Sequence, residues 1–368
     1  MDIVIMHKSV IPHDAIGNDI ESMYLLLKKK YHCFVYAIDK LNTNVEYIDR
    51  KKLYSIICRD SCIVIYHHSV FWREGYDILK KVRGKIIFRY HNITPPSFFK
   101  NYSRVYYTQC KKGRKQTEIL IKKFPDAMWI SDSHYNAGEL EGVSGQRSFI
   151  CPPFNRIEQW SKCEPDKRLL EELSKDETIN LLFVGRMVPN KGHYMLLDII
   201  RVFCANYQEK VKLRIIGKFD YNLEKYTSLI RKIIGDYRIS DMVEFIGEVT
   251  DSSLMAYYLG SDVLVCTSEH EGFCVPVIEA QFFGLPVLAL DQCAVPETLG
   301  EKQLIFDHDP AKFAAAIKMI CENLDMRKYL VGQGRENFNQ RFREEIVAKK
   351  FNNIVSEIGT VLTEKGNK

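Results

Sequence analysis

The sequence predicts an α/β protein built from two doubly wound parallel-sheet domains. Three observations carry this expectation. Short β-rich runs alternate with helical patterns along most of the 368 residues, as in a βαβ series. Several strand candidates are continuous apolar runs, such as the IVIY within Cys62–His67, which suits strands covered by helices on both faces. The series is also broken midway, at the Glu-, Lys-, Asp- and Ser-rich stretch Asn155–Thr178. The length is comfortable for two domains of roughly 150–200 residues each.

The first strand series is Ile3–His7, Cys33–Ile38, Cys62–His67, Lys85–Tyr90, Met128–Ser131 and Ser148–Cys151. The second is Asn180–Val184, Lys212–Ile216, Val243–Ile246, Asp262–Thr267, Pro286–Leu290 and Leu304–Phe306. Helices show the 3.6-residue period: in Pro310–Leu324, Phe313, Ile317 and Ile320 share one stripe. The expected division is a first Rossmann-like domain over 1–157 and a second over 158–342. A C-terminal helical segment over 343–368, with its pattern in Glu344–Ile358, is expected to pack back on the first domain. Two such units face a ligand with the carboxyl ends of their strands, so a cleft there is the expected site.

Composition excludes several classes. Hydrophobic residues at 46% and charged residues at 27% belong to a folded globular chain; only the tail Thr363–Lys368 is expected to be disordered. No apolar run approaches the roughly 18–20 residues of a membrane helix. The opening MDIVIMHKSV is too short and polar for a signal peptide and reads as a strand. The eleven cysteines are odd in number and scattered. They include no CxxC, only a CxxxC at Cys58 and Cys62. That usage suits a reducing compartment, so a cytosolic protein is expected. Residues 1–160 carry 25 Lys+Arg against 16 Asp+Glu (25 − 16 = +9), and the rest 27 against 31 (27 − 31 = −4). A basic first half suits an anionic membrane face or acceptor, and equally an ordinary solvated surface. No nucleic-acid-binding motif is present, so no nucleic-acid partner is expected.

Chemistry concentrates in a few segments. In Ser268–Gly284, SEHEGFCVPVIEAQFFG, a strand end leads through Glu271-Gly272 into a helix that Pro276 opens. Glu271 lies in the loop and Glu279 in the first helical turns. The backbone N–H groups of Gly272, Phe273, Cys274 and Val275 suit a phosphate; a carboxylate beside them suits sugar hydroxyls. Alone, the segment also fits a surface loop with a dipole-favoured glutamate. In LLFVGRMVPNKG, a buried strand runs into Gly185-Arg186 and Lys191-Gly192, with a helix from His193. Two cations at a strand's carboxyl end suit a diphosphate, though two solvated charges fit as well. His91 ends the strand Lys85–Tyr90, and Gly17 sits in the loop Ile11–Asn18 between the first strand and helix. In Tyr66-His67-His68 adjacent side chains face opposite ways, so one of them, His67, is a candidate for the acceptor side. Asp307-His308-Asp309 spells DxD, but before Pro310 its Asp309 reads as a helix N-cap. Cys274 has no base partner that would make it a nucleophile.

These residues resemble a known family. Glu271-Gly272-Phe273 with Glu279 looks like the E-x7-E motif of retaining glycosyltransferases of family 4, with the GT-B fold. Gly185-Arg186 with Lys191-Gly192 looks like that family's donor-phosphate motif. SEHEGFCVPVIEA and RYHNITPP are most similar to bacterial polysaccharide and O-antigen transferases, often mannosyl- or rhamnosyltransferases. The resemblance is strongest over Ile179–Phe306 and collinear over Met1–Phe154. It implies that Arg186 and Lys191 hold the donor diphosphate and Glu271 the sugar hydroxyls. Glu279 then binds the ribose, Gly185 and Gly272–Val275 complete the donor site, and His91 lies near the transferred sugar. Gly17 matches an N-terminal glycine loop, where many relatives carry Gly-Gly; here Ile16 and Asn18 flank a single glycine.

The implied reaction is retaining hexosyl transfer from a nucleotide sugar, GDP-mannose first and UDP- or other GDP-sugars next. It takes a saccharide or lipid-linked glycan acceptor and needs no cofactor and no metal, at the inner membrane face. Two alternatives share the residues: a nucleotide-sugar epimerase on the same fold, recognised by donor conversion without acceptor, and a non-catalytic nucleotide-sugar or glycan-binding protein, recognised by binding without transfer. A phosphorylase is disfavoured because no lysine positioned for a pyridoxal cofactor can be recognised.

Overall fold

The computed structural model describes residues 1–11, 14–160, 162–175 and 177–364. It is α/β and contains two six-stranded parallel sheets. The first comprises β1 (Asp2–Met6), β2 (His32–Tyr36), β3 (Ile63–His68), β4 (Lys85–Tyr90), β5 (Met128–Ser131) and β6 (Ser148–Ile150), in the order β2-β1-β3-β4-β5-β6. The second comprises β7 (Ile179–Val184), β8 (Val211–Ile216), β9 (Val243–Gly247), β10 (Val263–Cys266), β11 (Val287–Leu290) and β12 (Leu304–Phe306), in the order β9-β8-β7-β10-β11-β12. Each expected strand is present, with ends moved by two residues at most.

Two-sided burial explains the continuous apolar runs. Along β1, Ile3 and Ile5 enter one core while Val4 and Met6 enter the other; Ile63 and Ile65 alternate with Val64 and Tyr66 in β3 in the same way. The period of two therefore persists, but both faces select apolar residues. A separate parallel pair, Ser9–Val10 with Asp39–Lys40, was not anticipated. These strands of two residues are too short to leave a periodic signal.

The chain divides into two compact units. One contains residues 1–95, 109–156 and 342–368; the other contains 96–108 and 157–341. The helix Glu344–Glu364 belongs to the first. Its Val347, Phe351, Ile354 and Val355 complete the core around Phe154, and Phe351 meets Phe154 edge-on at 5.7 Å. Burying a side chain like Phe351 contributes about 2–3 kcal/mol. Of the expected disordered tail, 365–368 lie outside the described residues.

The polar stretch Asn155–Thr178, expected as a linker, holds helices at Ile157–Trp160 and Lys167–Ser174. Asp166 caps the second by accepting from Leu169 N at 3.1 Å, and Leu173 is buried. Trp160 stacks on Phe283 at 5.8 Å. A few apolar side chains at helical spacing outweigh a polar composition once a surface exists to cover them.

Candidate functional site

In a doubly wound sheet, the loops after the two strands where the connections reverse direction diverge and leave a crevice. In the second unit these strands are β7 and β10, neighbours in the sheet with two strands between them in sequence. Both expected motifs follow them.

After β7, a short turn Pro189–Lys191 leads to Gly192, which starts the helix His193–Asn206 at φ 69°. A Cβ on Gly192 would lie 1.9 Å from the Thr267 carbonyl oxygen, so only glycine lets the two loops touch. Asn190 then ties them together. Its carbonyl accepts from Glu269 N at 2.9 Å and its Nδ2 donates to the His270 carbonyl at 3.0 Å. Thr267 Oγ1 donates to the Lys191 carbonyl at 3.2 Å.

This tie brings Lys191 Nζ to 2.5 Å from Glu271 Oε1, with the side chains 15% and 13% exposed. Burial works against the ammonium charge, but the Glu271 carboxylate outweighs it and raises the lysine pKa above its ordinary value. The lysine is therefore held as the charged ammonium. Gly185 makes room for the lysine stem: a Cβ there would sit 3.3 Å from Lys191 Cε. Arg186 projects further out, 54% exposed, and reaches Tyr106 Oη at 3.0 Å and Asp220 Oδ2 at 3.1 Å.

After β10, Cys274 takes a left-handed conformation, φ 78°, as N-cap of the helix Val275–Phe283, with Pro276 in its first turn. That conformation is costly for a residue with a Cβ and turns the chain sharply into the helix. Thr298 Oγ1 donates to the Phe273 carbonyl at 2.5 Å, pinning the loop that also contains Gly272. Cys274 is buried with its Sγ 3.6 Å from Cys266 Sγ; that neighbour and burial push its thiol pKa far up, so it is no thiolate nucleophile. Glu279 accepts from Tyr258 Oη at 2.5 Å. The two glutamates of the motif thus have separate partners, Lys191 for one and Tyr258 for the other.

In the first unit, His91 and His67 lie in a buried network that local sequence patterns do not reveal. Arg89, 1% exposed, contacts Asp19 at 3.0 Å and Asp132 at 2.9 Å. His91 Nδ1 is 2.9 Å from Asp132 Oδ2, and its Nε2 is 2.8 Å from His67 Nδ1. Both ring nitrogens of His91 are thus engaged inside the protein. His67 is 1% exposed; burial and then His91 hold its pKa well below the ordinary value. The His67 ring is thus enclosed by the surrounding protein. His68 points to the other face, as expected, and meets Thr117 Oγ1 at 2.9 Å. Asp19, His67 and His91 have ligand-type atoms within 4.8 Å of one another, a set that could hold a metal ion. Asp19 Oδ2 is engaged by Arg89 Nε and His67 Nδ1 by His91 Nε2, while the buried His67 Nε2 has no hydrogen-bond partner among the described residues.

Gly17 is buried, and a Cβ on it would lie 1.9 Å from the Ile11 carbonyl oxygen. Its glycine is explained by the loop folding on itself. Pro12 and His13 of that loop lie outside the described residues. Asp309 caps Pro310–Glu322, accepting from Ala311 N at 2.9 Å.

Residues 167–337 match the family described as Glycosyl transferases group 1. Gly185, Arg186, Lys191, Asp220, Glu271 and Glu279 fall inside the matched stretch, whereas Tyr106 does not. Among curated relatives, the Klebsiella pneumoniae "Uncharacterized 41.2 kDa protein in cps region" is 28% identical over 215 residues, 55% of this chain and 56% of its own. The D-inositol 3-phosphate glycosyltransferase of Corynebacterium kroppenstedtii is 27% identical over 183 residues, 48% of this chain and 40% of its own. The matched stretch therefore spans about half the length of these relatives. Among solved structures, Anabaena HepE in complex with UDP-glucose superposes with a TM-score of 0.76, covering 97% of this chain and 100% of that one at 13% identity. At that identity the likeness shows the fold, the GT-B type with two Rossmann-like domains.

Proposed function

We propose that the protein is a retaining, family 4 glycosyltransferase. It transfers a hexose, mannose first, from a nucleotide sugar to a saccharide or lipid-linked glycan in surface polysaccharide synthesis. The observation that carries this reading is the meeting of Lys191 and Glu271 beside a helix start, at the point where the second sheet reverses its connections. The match to Glycosyl transferases group 1 supports it, as do the glycosyltransferase and cps-region names of the relatives.

Transfer breaks the bond between the sugar's anomeric carbon and the diphosphate, forms one from that carbon to an acceptor hydroxyl oxygen and passes the hydroxyl proton to the departing phosphate, on whose oxygens negative charge grows. Lys191, Arg186 and the N–H groups opening Val275–Phe283 oppose that charge without reorganising, each such contact worth roughly 3–4 kcal/mol. No metal ion or other cofactor is required. Glu271, oriented by Lys191, accepts from donor-sugar hydroxyls, and Glu279, steadied by Tyr258, accepts from the ribose. The basic first half would bring the protein to an anionic membrane face; no helix among the described residues is long and apolar enough to cross a membrane.

The test is a thermal-shift screen with GDP-mannose, UDP-glucose and other nucleotide sugars, followed by transfer assays with and without EDTA and assignment of the product anomer. A donor that binds only the native state raises Tm. The reading fails if no nucleotide sugar shifts Tm and none is consumed. Donor conversion without acceptor would point to an epimerase, and binding without transfer to a binding protein.

A further inference from the structure

The donor-phosphate motif accounts for the presence of Arg186 but not for what holds it. A half-exposed arginine loses rotamer entropy when it is held in one pose. Here its Nη2 donates to both Tyr106 Oη and Asp220 Oδ2, at 3.0 and 3.1 Å. The Tyr106 hydroxyl donates to that same Asp220 oxygen, so the three groups close a ring. Each holder is itself fixed. Asp220 Oδ1 accepts from Asn222 N at 2.9 Å, capping the turn Tyr221–Leu223. The Tyr106 ring stacks on Phe99 at 5.1 Å. Burial and the Asp220 carboxylate raise the Tyr106 pKa, which keeps its hydroxyl a donor. Among the described residues, Arg186 Nε and Nη1 have no protein partner.

Tyr106 comes from the segment 96–108, which lies in the first half of the sequence but clusters with the second unit. Tyr102 of the same segment meets Tyr194 Oη at 2.9 Å, and Phe98 lies 6.2 Å from the His270 ring. The segment is therefore seated along the same loops that carry Arg186 and Glu271.

We infer that Tyr106 and Asp220 are positioning residues for Arg186: they clamp Nη2 and leave Nε and Nη1 directed at the diphosphate of the donor. This inference rests on the donor reading above. A carboxylate that merely neutralised Arg186 would weaken anion binding, and its removal would strengthen it. A positioning carboxylate has the opposite signature, since its removal leaves the cation free to swing and slows the step in which charge develops.

The experiment is a double-mutant cycle of Tyr106→Phe and Arg186→Ala, together with Asp220→Asn. The readouts are kcat and KM for the active nucleotide sugar and the Tm shifts produced by UDP and by GDP. Tyr106→Phe keeps the ring on Phe99, so unliganded Tm should stay near wild type. Its kcat should fall about 10-fold with KM within about twofold, and it should cause no further loss in the Arg186→Ala background. Asp220→Asn should also lower kcat without enlarging either diphosphate-induced shift. The inference is overturned by a silent Tyr106→Phe, by losses that multiply in the double variant, or by an Asp220→Asn protein that binds diphosphate more tightly at unchanged kcat. A wild type that shows neither a diphosphate-induced shift nor transfer overturns the donor reading and this inference together. Wild-type transfer with any of the three outcomes before it overturns this inference alone.

Discussion

Lys191 and Glu271 are separated by 80 residues in sequence and by 2.5 Å in the structure. Their two loops touch only because Gly192 has no side chain and because Asn190 hydrogen-bonds to both Glu269 and His270. The charge pair is thus a product of the backbone geometry at the ends of β7 and β10.

The two cations of the site should separate in their effects on stability. Lys191→Ala leaves the Glu271 carboxylate without its partner, and removing one member of a buried pair costs about 3–5 kcal/mol at the upper end. Arg186 is half exposed, so Arg186→Ala should cost under about 1 kcal/mol. Both should lower transfer by about two orders of magnitude or more. Urea unfolding and turnover on the same samples check this; near-wild-type turnover in both variants would remove the leaving-group chemistry.

Gly192→Ala should disturb the site directly. The residue has φ 69° and its Cβ would meet a backbone oxygen at 1.9 Å, so the change should cost well over about 1 kcal/mol and displace Lys191. In the helix Glu224–Asp236, a Cβ added at Gly235 would meet nothing within 4 Å. Gly235→Ala should therefore stabilise the protein by about 0.5–1 kcal/mol. A Gly192→Ala variant melting at or above wild type, or a Gly235→Ala variant melting below it, would contradict the corresponding expectation.

The Arg89–Asp19 pair should dominate the stability of the first unit. Asp19 also accepts from Phe154 N at 2.7 Å, so it serves three elements at once. Arg89→Ala should cost about 3–5 kcal/mol, because it leaves the buried Asp19 carboxylate without its cation; Asp19→Ala should cost less, because Arg89 keeps Asp132 at 2.9 Å. The double variant should cost less than the sum of the two, which denaturant midpoints can establish.

Acid should destabilise the fold well above the carboxylate range. Burial holds His7 down at about 4 and both His68 and His193 at about 3. The unfolded chain titrates these rings near about 6.5. Between those values the unfolded state binds more protons, so stability is full above roughly pH 6.5 and is lost progressively as pH falls toward about 3. A urea midpoint independent of pH between 7 and 4 would exclude neutral buried rings as its source.

Much of the architecture was legible in the linear sequence. Lys85–Tyr90, Met128–Ser131 and Leu304–Phe306 carry the same bounds in the expectation and in the fold. An apolar run between turn residues has few other places to go than the interior of a sheet. The start of the Val275–Phe283 helix was legible from Pro276 for the same kind of local reason. Other features left no local trace. Tyr106 and Asp220 meet Arg186 across 80 and 34 residues, and nothing beside Asp19 marks it as the partner of Arg89. Composition pointed the wrong way at Lys167–Ser174, where a packed helix replaces the expected linker.

By itself the sequence determined the two sheets, their strands, and the loops in which Gly185, Arg186, Lys191, Glu271 and Glu279 lie. These follow from hydrophobic burial and from glycine and proline stereochemistry, which act within a few residues along the chain. Only the tertiary structure decided which charges are paired: Lys191 with Glu271, Arg186 with Asp220 and Tyr106, and His91 with Asp132 and His67. It also enclosed His67 and His91. Ion pairs and hydrogen bonds depend on distances of about 3 Å through space, and strand order, not sequence order, sets those distances.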